Sequence, residues 1–406
     1  MKVVYISTSC SEKMYSWVYK NRHVKAIEPQ QKFNQLLING IAEQKDVDVF
    51  CISALPMSAS TSNIKHYDGG IEIINSHLTY DYIPFKNGKF SRYISLINNT
   101  YKHLKKYIKE NKNEDIVIIT DVLSVFMTLR IFKLAKKYNI PTVGIVTDLP
   151  MLATNMKQNK QSFIKRTLES FSQKINTDAL AKYDAYIPLT KSIYDAIEQT
   201  SKPYLVIEGS INSLQSYRKK VKTTSKRVLV YAGGLYEKYG VGTLAKACAL
   251  LSDQFDFEMH FYGNGNYVPV LEELHKQYPN IVYKGMASLE EIVKVEQKCD
   301  LLINPRPSNE EFSKYSFPSK TLEYMTSGTP LLTTELPGIP KEYFEHCYSI
   351  REEDVDGMKK TLSEVLSKSN EELINKGFDA YKFVLNQKSN VIQGKRIIDF
   401  LKNTCS

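Results

Sequence analysis

The sequence predicts an α/β protein of two doubly wound domains, each a mostly parallel sheet covered by helices. Three observations carry that expectation. Short apolar runs alternate with longer segments of helical period along the 406 residues. Two of the runs, DIVIIT (115–120) and TVGIVTD (142–148), are nearly continuous in apolar residues, as strands buried on both faces of a parallel sheet are. The series then breaks at a polar, basic segment, NSLQSYRKKVKTTSKR (212–227), and a second series follows.

The first series runs KVVYIS (2–7), VDVFCIS (47–53), the runs at 115 and 142, and AYIPLT (185–190). Between them lie helical segments such as FSRYISLINNTYKHLKKYIKEN (90–111). There Ile94, Leu104 and Ile108 are expected to share a face, with Lys102, Lys105, Lys106 and Lys109 largely elsewhere. The second series is RVLVYAGG (227–234), FEMHFYG (257–263), NIVYKG (280–285), DLLINPR (300–306) and PLLTTEL (330–336). The reading places one domain at 1–205 and a second at 206–384, with a C-terminal helix at 385–406 packing back on the first. Ligands of such sheets bind at the carboxyl ends of the strands, and the cleft between two domains is the natural site.

Composition narrows the partners. Charged residues make up 24%, hydrophobic ones 42%, and the formal net charge is +10, which favours an anionic partner. Six cysteines without a CxxC pair signal neither a zinc site nor a redox motif and suit a reducing compartment. The start, MKVVYISTSC, reads as a strand and lacks the pattern of a signal peptide. The most apolar window, 116–132, is interrupted by Asp121 and Arg130 and is too short to span a bilayer.

The stretch SKYSFPSKTLEYMTSGTP (313–330) carries the sharpest chemical signal. Pro318 suits the first turn of a helix that Gly328 and Pro330 end. Lys320 in that first turn faces the positive end of the helix dipole, at a cost of about 0.3–1 kcal/mol unless an anion sits there. Other strand ends meet the same edge: Gly233-Gly234, Gly263-Asn264-Gly265 and Asn304-Pro305-Arg306. Arg306 and Lys320 there suit a diphosphate, and Glu323 suits two vicinal hydroxyls. Each has a plainer alternative: tight turns for the glycines, an ion pair with Glu310 or Glu311 for Arg306, and the helix dipole for Glu323.

These residues resemble a known family. The runs VLVYAGGLYEKYGVGTLAKA, FEMHFYGNGNY, NIVYKGMASLEEIVKVEQKCDLLINPRPS and FPSKTLEYMTSGTPLLTT are similar to the retaining GT-B fold glycosyltransferases of group 1 (family 4), especially bacterial members that assemble surface polysaccharide. The likeness covers most of 225–350. The first half, with QQKFNQLLINGIAEQ and YIPLTKSI, resembles the family's acceptor domain in pattern only.

The resemblance implies two Rossmann-like domains facing a cleft. It implies sugar transfer, with retention and without a metal or other cofactor, from a nucleotide diphosphosugar, read as UDP-linked. The acceptor would be a glycan or a polyprenyl-pyrophosphate-linked glycan in capsular or exopolysaccharide synthesis. Donor-binding residues would be Gly233, Gly234, Lys238, Gly263, Gly285, Met286, Tyr315, Ser316, Phe317, Pro318, Ser319 and Glu323. Arg306 and Lys320 would stabilise the leaving diphosphate. Asp148, in VTDLP at a strand end, would hold the acceptor or take its proton, with loop capping as its alternative.

The sequence departs from the family at three places. Tyr315 stands where a glutamate is usual, eight positions before Glu323, and Gly234 and Tyr239 stand where many members carry Arg and Lys. Tyr315, Glu310 or Glu311 would then meet the donor sugar. The loop TSCSEKMYSW (8–17) would offer backbone N–H groups of Ser9 to Ser11 to the donor. His23, His66, His77 and His103 read as structural, and DVD at 46–48 and 354–356 reads as a strand start and a helix start rather than a metal site.

The lysines of 102–109, with Lys157, Lys160, Lys165 and Arg166, suit a cytoplasmic protein peripheral on the inner face of the plasma membrane. Three rivals stay open: a nucleotide-sugar 2-epimerase of similar fold, a non-catalytic glycosyltransferase-like subunit, and a nucleic-acid binder. No basic stripe interleaved with aromatics supports the last.

Overall fold

The structure, a computed structural model, describes residues 1–23, 29–88, 90–121, 125–149, 177–197, 201–214 and 226–405. Lys157, Lys160, Lys165 and Arg166 lie outside the described residues. The chain divides into two compact units, Met1–Ser210 with Ser389–Ser406, and Ile211–Lys388.

The first unit contains β1 (Lys2–Ser7), β2 (Asp48–Ser53), β3 (His66–Tyr67), β4 (Gly70–Asn75), β5 (Leu78–Tyr82), β6 (Phe85–Lys86), β7 (Ile116–Asp121), β8 (Thr142–Val146) and β9 (Ala185–Pro188). Seven of them form one sheet in the order β4-β5-β2-β1-β7-β8-β9. Only β4 runs antiparallel to its neighbour within that sheet. β7 and β8 are buried at every residue, which is why their sequences carry no polar alternation.

The helix Ser91–Glu110 lays Leu96, Thr100, Leu104 and Ile108 on the core, a ladder of four-residue steps. Ile94 is off that ladder and 59% exposed, so it does not share the face of Leu104 and Ile108.

The C-terminal helix Asn390–Thr404 lies against the helix Pro29–Ala42 of the first unit. Glycines permit the contact: a Cβ on Gly40 would stand 1.9 Å from the Asn390 carbonyl oxygen, and one on Gly394 would stand 2.1 Å from that of Gly40. Gln393 Nε2 donates to the Gly209 carbonyl at 2.9 Å, and Arg396 to that of Val206 at 3.3 Å. The returning segment begins at Ser389, because the preceding helix, Asn370–Lys388, is one piece of the second unit.

The second unit contains β10 (Arg227–Ala232), β11 (Phe257–Tyr262), β12 (Ile281–Gly285), β13 (Leu301–Asn304), β14 (Leu331–Thr334) and β15 (Tyr348–Ile350). All pair in parallel, in the order β12-β11-β10-β13-β14-β15. The chain winds outward one way from β10, then returns to β13 and winds the other way. The winding reverses between β10 and β13, and the carboxyl ends of the strands at such a reversal are where sheets of this kind take ligands.

Candidate functional site: a cationic strand edge

The loops after β10 and β13 and the helix Ser319–Thr326 meet at that reversal. Tyr324 ties the helix to the sheet: its buried hydroxyl accepts from the Ala232 N–H at 3.0 Å and donates to the Ala232 carbonyl at 3.2 Å. Pro318 is the N-cap, one place earlier than the first-turn position expected, and no side chain caps the helix. Gly328, at φ +72, follows the C-cap Ser327.

Lys320 is the second residue of the helix, and its side chain reaches the carboxyl end of β10 at Gly233. A Cβ on Gly233 would stand 3.1 Å from its Cε, and its Nζ lies 5.7 Å from the centre of the Tyr324 ring. Burial lowers its pKa from the ordinary 10.5; Glu323 and the buried Glu296 oppose that shift, and Arg306 adds to it.

Arg306 follows β13 and lies against a pair of aromatic rings, 5.4 Å from the centre of Tyr239 and 5.1 Å from that of Phe312. Its Nη1 donates to Ser316 Oγ at 3.3 Å. Burial lowers its pKa too. Among the described residues, neither Arg306 nor Lys320 forms an ion pair, and Glu310 and Glu311 do not reach Arg306. Two desolvated cations with no carboxylate at ion-pairing distance are costly to hold. An anionic ligand at the uncapped helix start would meet that cost.

The other expected residues distribute around this pair. Tyr231 Oη donates to the Gly234 carbonyl at 2.9 Å, and Gly233 N–H to that of Tyr262 at 2.9 Å. Gly263 is a packing glycine: at φ +131, its Cβ would stand 1.8 Å from the Gly233 oxygen. Gly285 ends β12 and its carbonyl accepts from the Gly263 N–H, while the next residue, Met286, is 76% exposed. Lys238 is exposed, with Nζ 5.3 Å from the Tyr239 ring centre. Tyr315 is half-buried at the end of the short helix Glu311–Tyr315. Ser316 Oγ also donates to the Phe312 carbonyl, Phe317 packs on Tyr343, Ser319 is exposed and Glu323 half-buried.

Asp148 belongs to the first unit, just past β8, with its side chain exposed but crowded enough that desolvation raises its pKa. The N–H groups of Ser9, Cys10 and Ser11, expected to face a donor, are spent inside that unit. They donate to Ser7 Oγ, Gln31 Oε1 and Tyr82 Oη respectively. Of the four histidines of the first unit, three pair with carboxylates, His103 with Asp81, His77 with Asp48 and His66 with Asp68. Asp354 caps a helix by accepting from the Gly357 N–H.

Sequence reasoning missed Glu296 and the aromatic rest of Arg306. Glu296 was legible: it stands at the four-residue step after Ile292 and three before Cys299, where a helix shows its apolar stripe.

Residues 226–368 match the family described as Glycosyl transferases group 1. That segment is a glycosyltransferase domain. It contains all of β10 to β15 and both cations of the site. Solved structures of similar fold extend along the whole chain. Sucrose-phosphate synthase from Thermosynechococcus elongatus is 11% identical, with a TM-score of 0.61 over 99% of this chain and 98% of that one. Anabaena HepE in complex with UDP is 12% identical, with a TM-score of 0.59 over 99% and 100%. The lipopolysaccharide outer core galactosyltransferase WaaB is 13% identical, with a TM-score of 0.59 over 99% and 99%. At such identities the likeness is one of fold, the two-domain GT-B fold. No curated protein matches the chain. A glycosyltransferase domain set in that fold makes the chain an enzyme of the glycosyltransferase class.

Proposed function

We propose that the protein transfers a sugar, with retention, from a UDP-linked donor to a glycan or lipid-linked glycan acceptor in the assembly of a surface polysaccharide. The pair of desolvated cations, Arg306 and Lys320, beside an uncapped helix start carries this reading. Anabaena HepE, of similar fold, is described with UDP and with UDP-glucose, which supports UDP as the nucleotide.

In this reading Arg306, Lys320 and the first N–H groups of the helix hold the diphosphate. They stabilise the charge that grows on it as the anomeric C–O bond breaks. Glu323 accepts the ribose hydroxyls, and the backbone at Gly285 and Met286 meets the base. Tyr315 takes the place of the usual glutamate toward the donor sugar, with Lys238 at the rim. The acceptor oxygen forms the new bond on the face the diphosphate leaves, and its proton passes to Asp148 or to the departing phosphate. No metal ion or other cofactor enters this scheme.

Thermal stability with a panel of UDP-, GDP-, ADP- and TDP-linked sugars tests it. A ligand at 100 times its dissociation constant stabilises by about 2.7 kcal/mol. The expected result is a rise with one nucleotide family, abolished in Lys320→Ala and Glu323→Ala. No rise with any nucleotide favours a non-catalytic subunit.

Association with the inner face of a membrane belongs to the same reading. The helix Ser91–Glu110 carries Lys102, Lys105, Lys106 and Lys109, and no described helix is long and apolar enough to cross a membrane. Co-sedimentation with anionic liposomes at physiological salt is expected; a protein left wholly in the supernatant overturns that part.

A further inference from the structure

A second candidate site lies in the first unit. A groove of about 280 Å³ is lined by Lys13, Met14, Trp17, Tyr67, Glu72 and Tyr82, with Ile71 at its mouth. That volume is just below the usual range for ligand pockets, room for a single small ring. The groove sits at the carboxyl edge of the first sheet, since Tyr82 ends β5 and the helix Glu12–Lys20 follows β1. Trp17 and Tyr67 have ring centres 5.6 Å apart at 44°, and Phe85 backs Tyr67 at 5.7 Å.

Glu72 is built into place. Its Oε2 accepts from Ser11 Oγ at 2.7 Å and from Tyr82 Oη at 2.6 Å. Ser11 is also the N-cap of the helix that carries Trp17, accepting from the Met14 N–H at 3.0 Å. One serine thus fixes the carboxylate and the aromatic platform together. The other oxygen of Glu72 has no partner among the described residues. Lys13, exposed on the same helix, supplies donors across the groove.

This set of groups selects among ligands. An anion would meet the Glu72 carboxylate, and an acyl chain would leave that carboxylate desolvated without a donor. A neutral ring with an apolar face and several hydroxyls satisfies every group: carbon face on the aromatic rings, hydroxyl donors to Glu72, hydroxyl acceptors to Lys13.

We propose that this groove is a saccharide subsite in which a pyranose ring lies on Trp17 and Tyr67 and donates vicinal hydroxyls to the free oxygen of Glu72. That the bound sugar is the acceptor rests on the transfer reading above; that the groove binds a sugar does not.

Trp17 is the chain's single tryptophan, so emission excited selectively in tryptophan, beyond the absorption of the 27 tyrosines, reports from this groove. The full chain is titrated with the methyl glycosides of glucose, galactose, mannose, rhamnose and N-acetylglucosamine. The expected result is a saturable change in emission with at least one of them. Glu72→Gln, which keeps an acceptor for Ser11 and Tyr82, weakens that binding about tenfold or more. Lys13→Ala, an exposed change, weakens it by a smaller factor. Silence across the whole panel, or a response that both variants leave unaltered, overturns the proposal. The UDP-induced rise in thermal stability is read on the same samples. A sugar response without that rise sinks the transfer reading and leaves the subsite standing; the rise without a sugar response sinks the subsite alone.

Discussion

The two sheets each reverse their winding once, and the two reversal points are chemically unlike. In the first unit, between β1 and β7, polar groups satisfy one another. Asp121 Oδ2 accepts from Gln30 Nε2 at 2.7 Å and from Asn34 Nδ2 at 3.0 Å, and Tyr5 Oη donates to Asn34 Oδ1 at 2.5 Å. In the second unit, between β10 and β13, Arg306 and Lys320 are desolvated and have no carboxylate at ion-pairing distance among the described residues. A shared reversal of winding therefore does not give equal roles. A closed hydrogen-bond network fixes a shape, whereas cations held without a directly paired carboxylate leave a place for an anion.

Breaking the cationic side has the largest expected effect. Arg306→Ala removes a charged partner of the diphosphate and is expected to weaken UDP binding by about 1.5–3 kcal/mol. The apo protein should lose little stability, because the deleted cation was itself costly to bury. Calorimetric titration with UDP and a thermal melt of the same variant check the two halves.

Breaking the closed side should reverse that pattern. Asn34→Ala strands the buried Tyr5 hydroxyl and takes one donor from Asp121. The expected cost is about 1–3 kcal/mol of stability with UDP affinity unchanged. A denaturant melt with a UDP titration decides it.

The pH dependence sharpens the contrast. Folding lowers the Lys320 pKa, so the unfolded chain binds the extra proton in the window between that lowered value and 10.5. The apo protein should gain stability from this group as pH rises through that window. A bound diphosphate favours the charged lysine, so UDP affinity should fall over the same window. Lys320→Arg, charged throughout, should flatten the affinity profile. The smallest effect belongs to Lys238→Ala. That side chain is exposed and rests on Tyr239, so stability and affinity should each change by less than about 0.5 kcal/mol.

Much of this was legible in the sequence where one physical cause dominated. Continuous apolar runs announced β7 and β8, and Pro318 with Gly328 and Pro330 announced the helix Ser319–Thr326 that carries Lys320. The hairpin β4–β5 was not legible. β4 is an edge strand whose Ile71 and Ile73 are 67% and 74% exposed, so its sequence carries no inward stripe. The saccharide groove was hidden for a related cause. Trp17 is distant in sequence from Tyr67 and Glu72, and only the fold brings it to them. Ser9 to Ser11 misled because spacing places a loop at an edge without saying whether its N–H groups are already spent.

The most direct measurement compares UDP with uridine on the wild-type chain and on Lys320→Ala. If Arg306 and Lys320 hold a diphosphate, UDP binds the wild type far more tightly than uridine does, and most of that gap closes in the variant. Equal binding of UDP and uridine to the wild type, or a gap that survives in Lys320→Ala, would contradict the account.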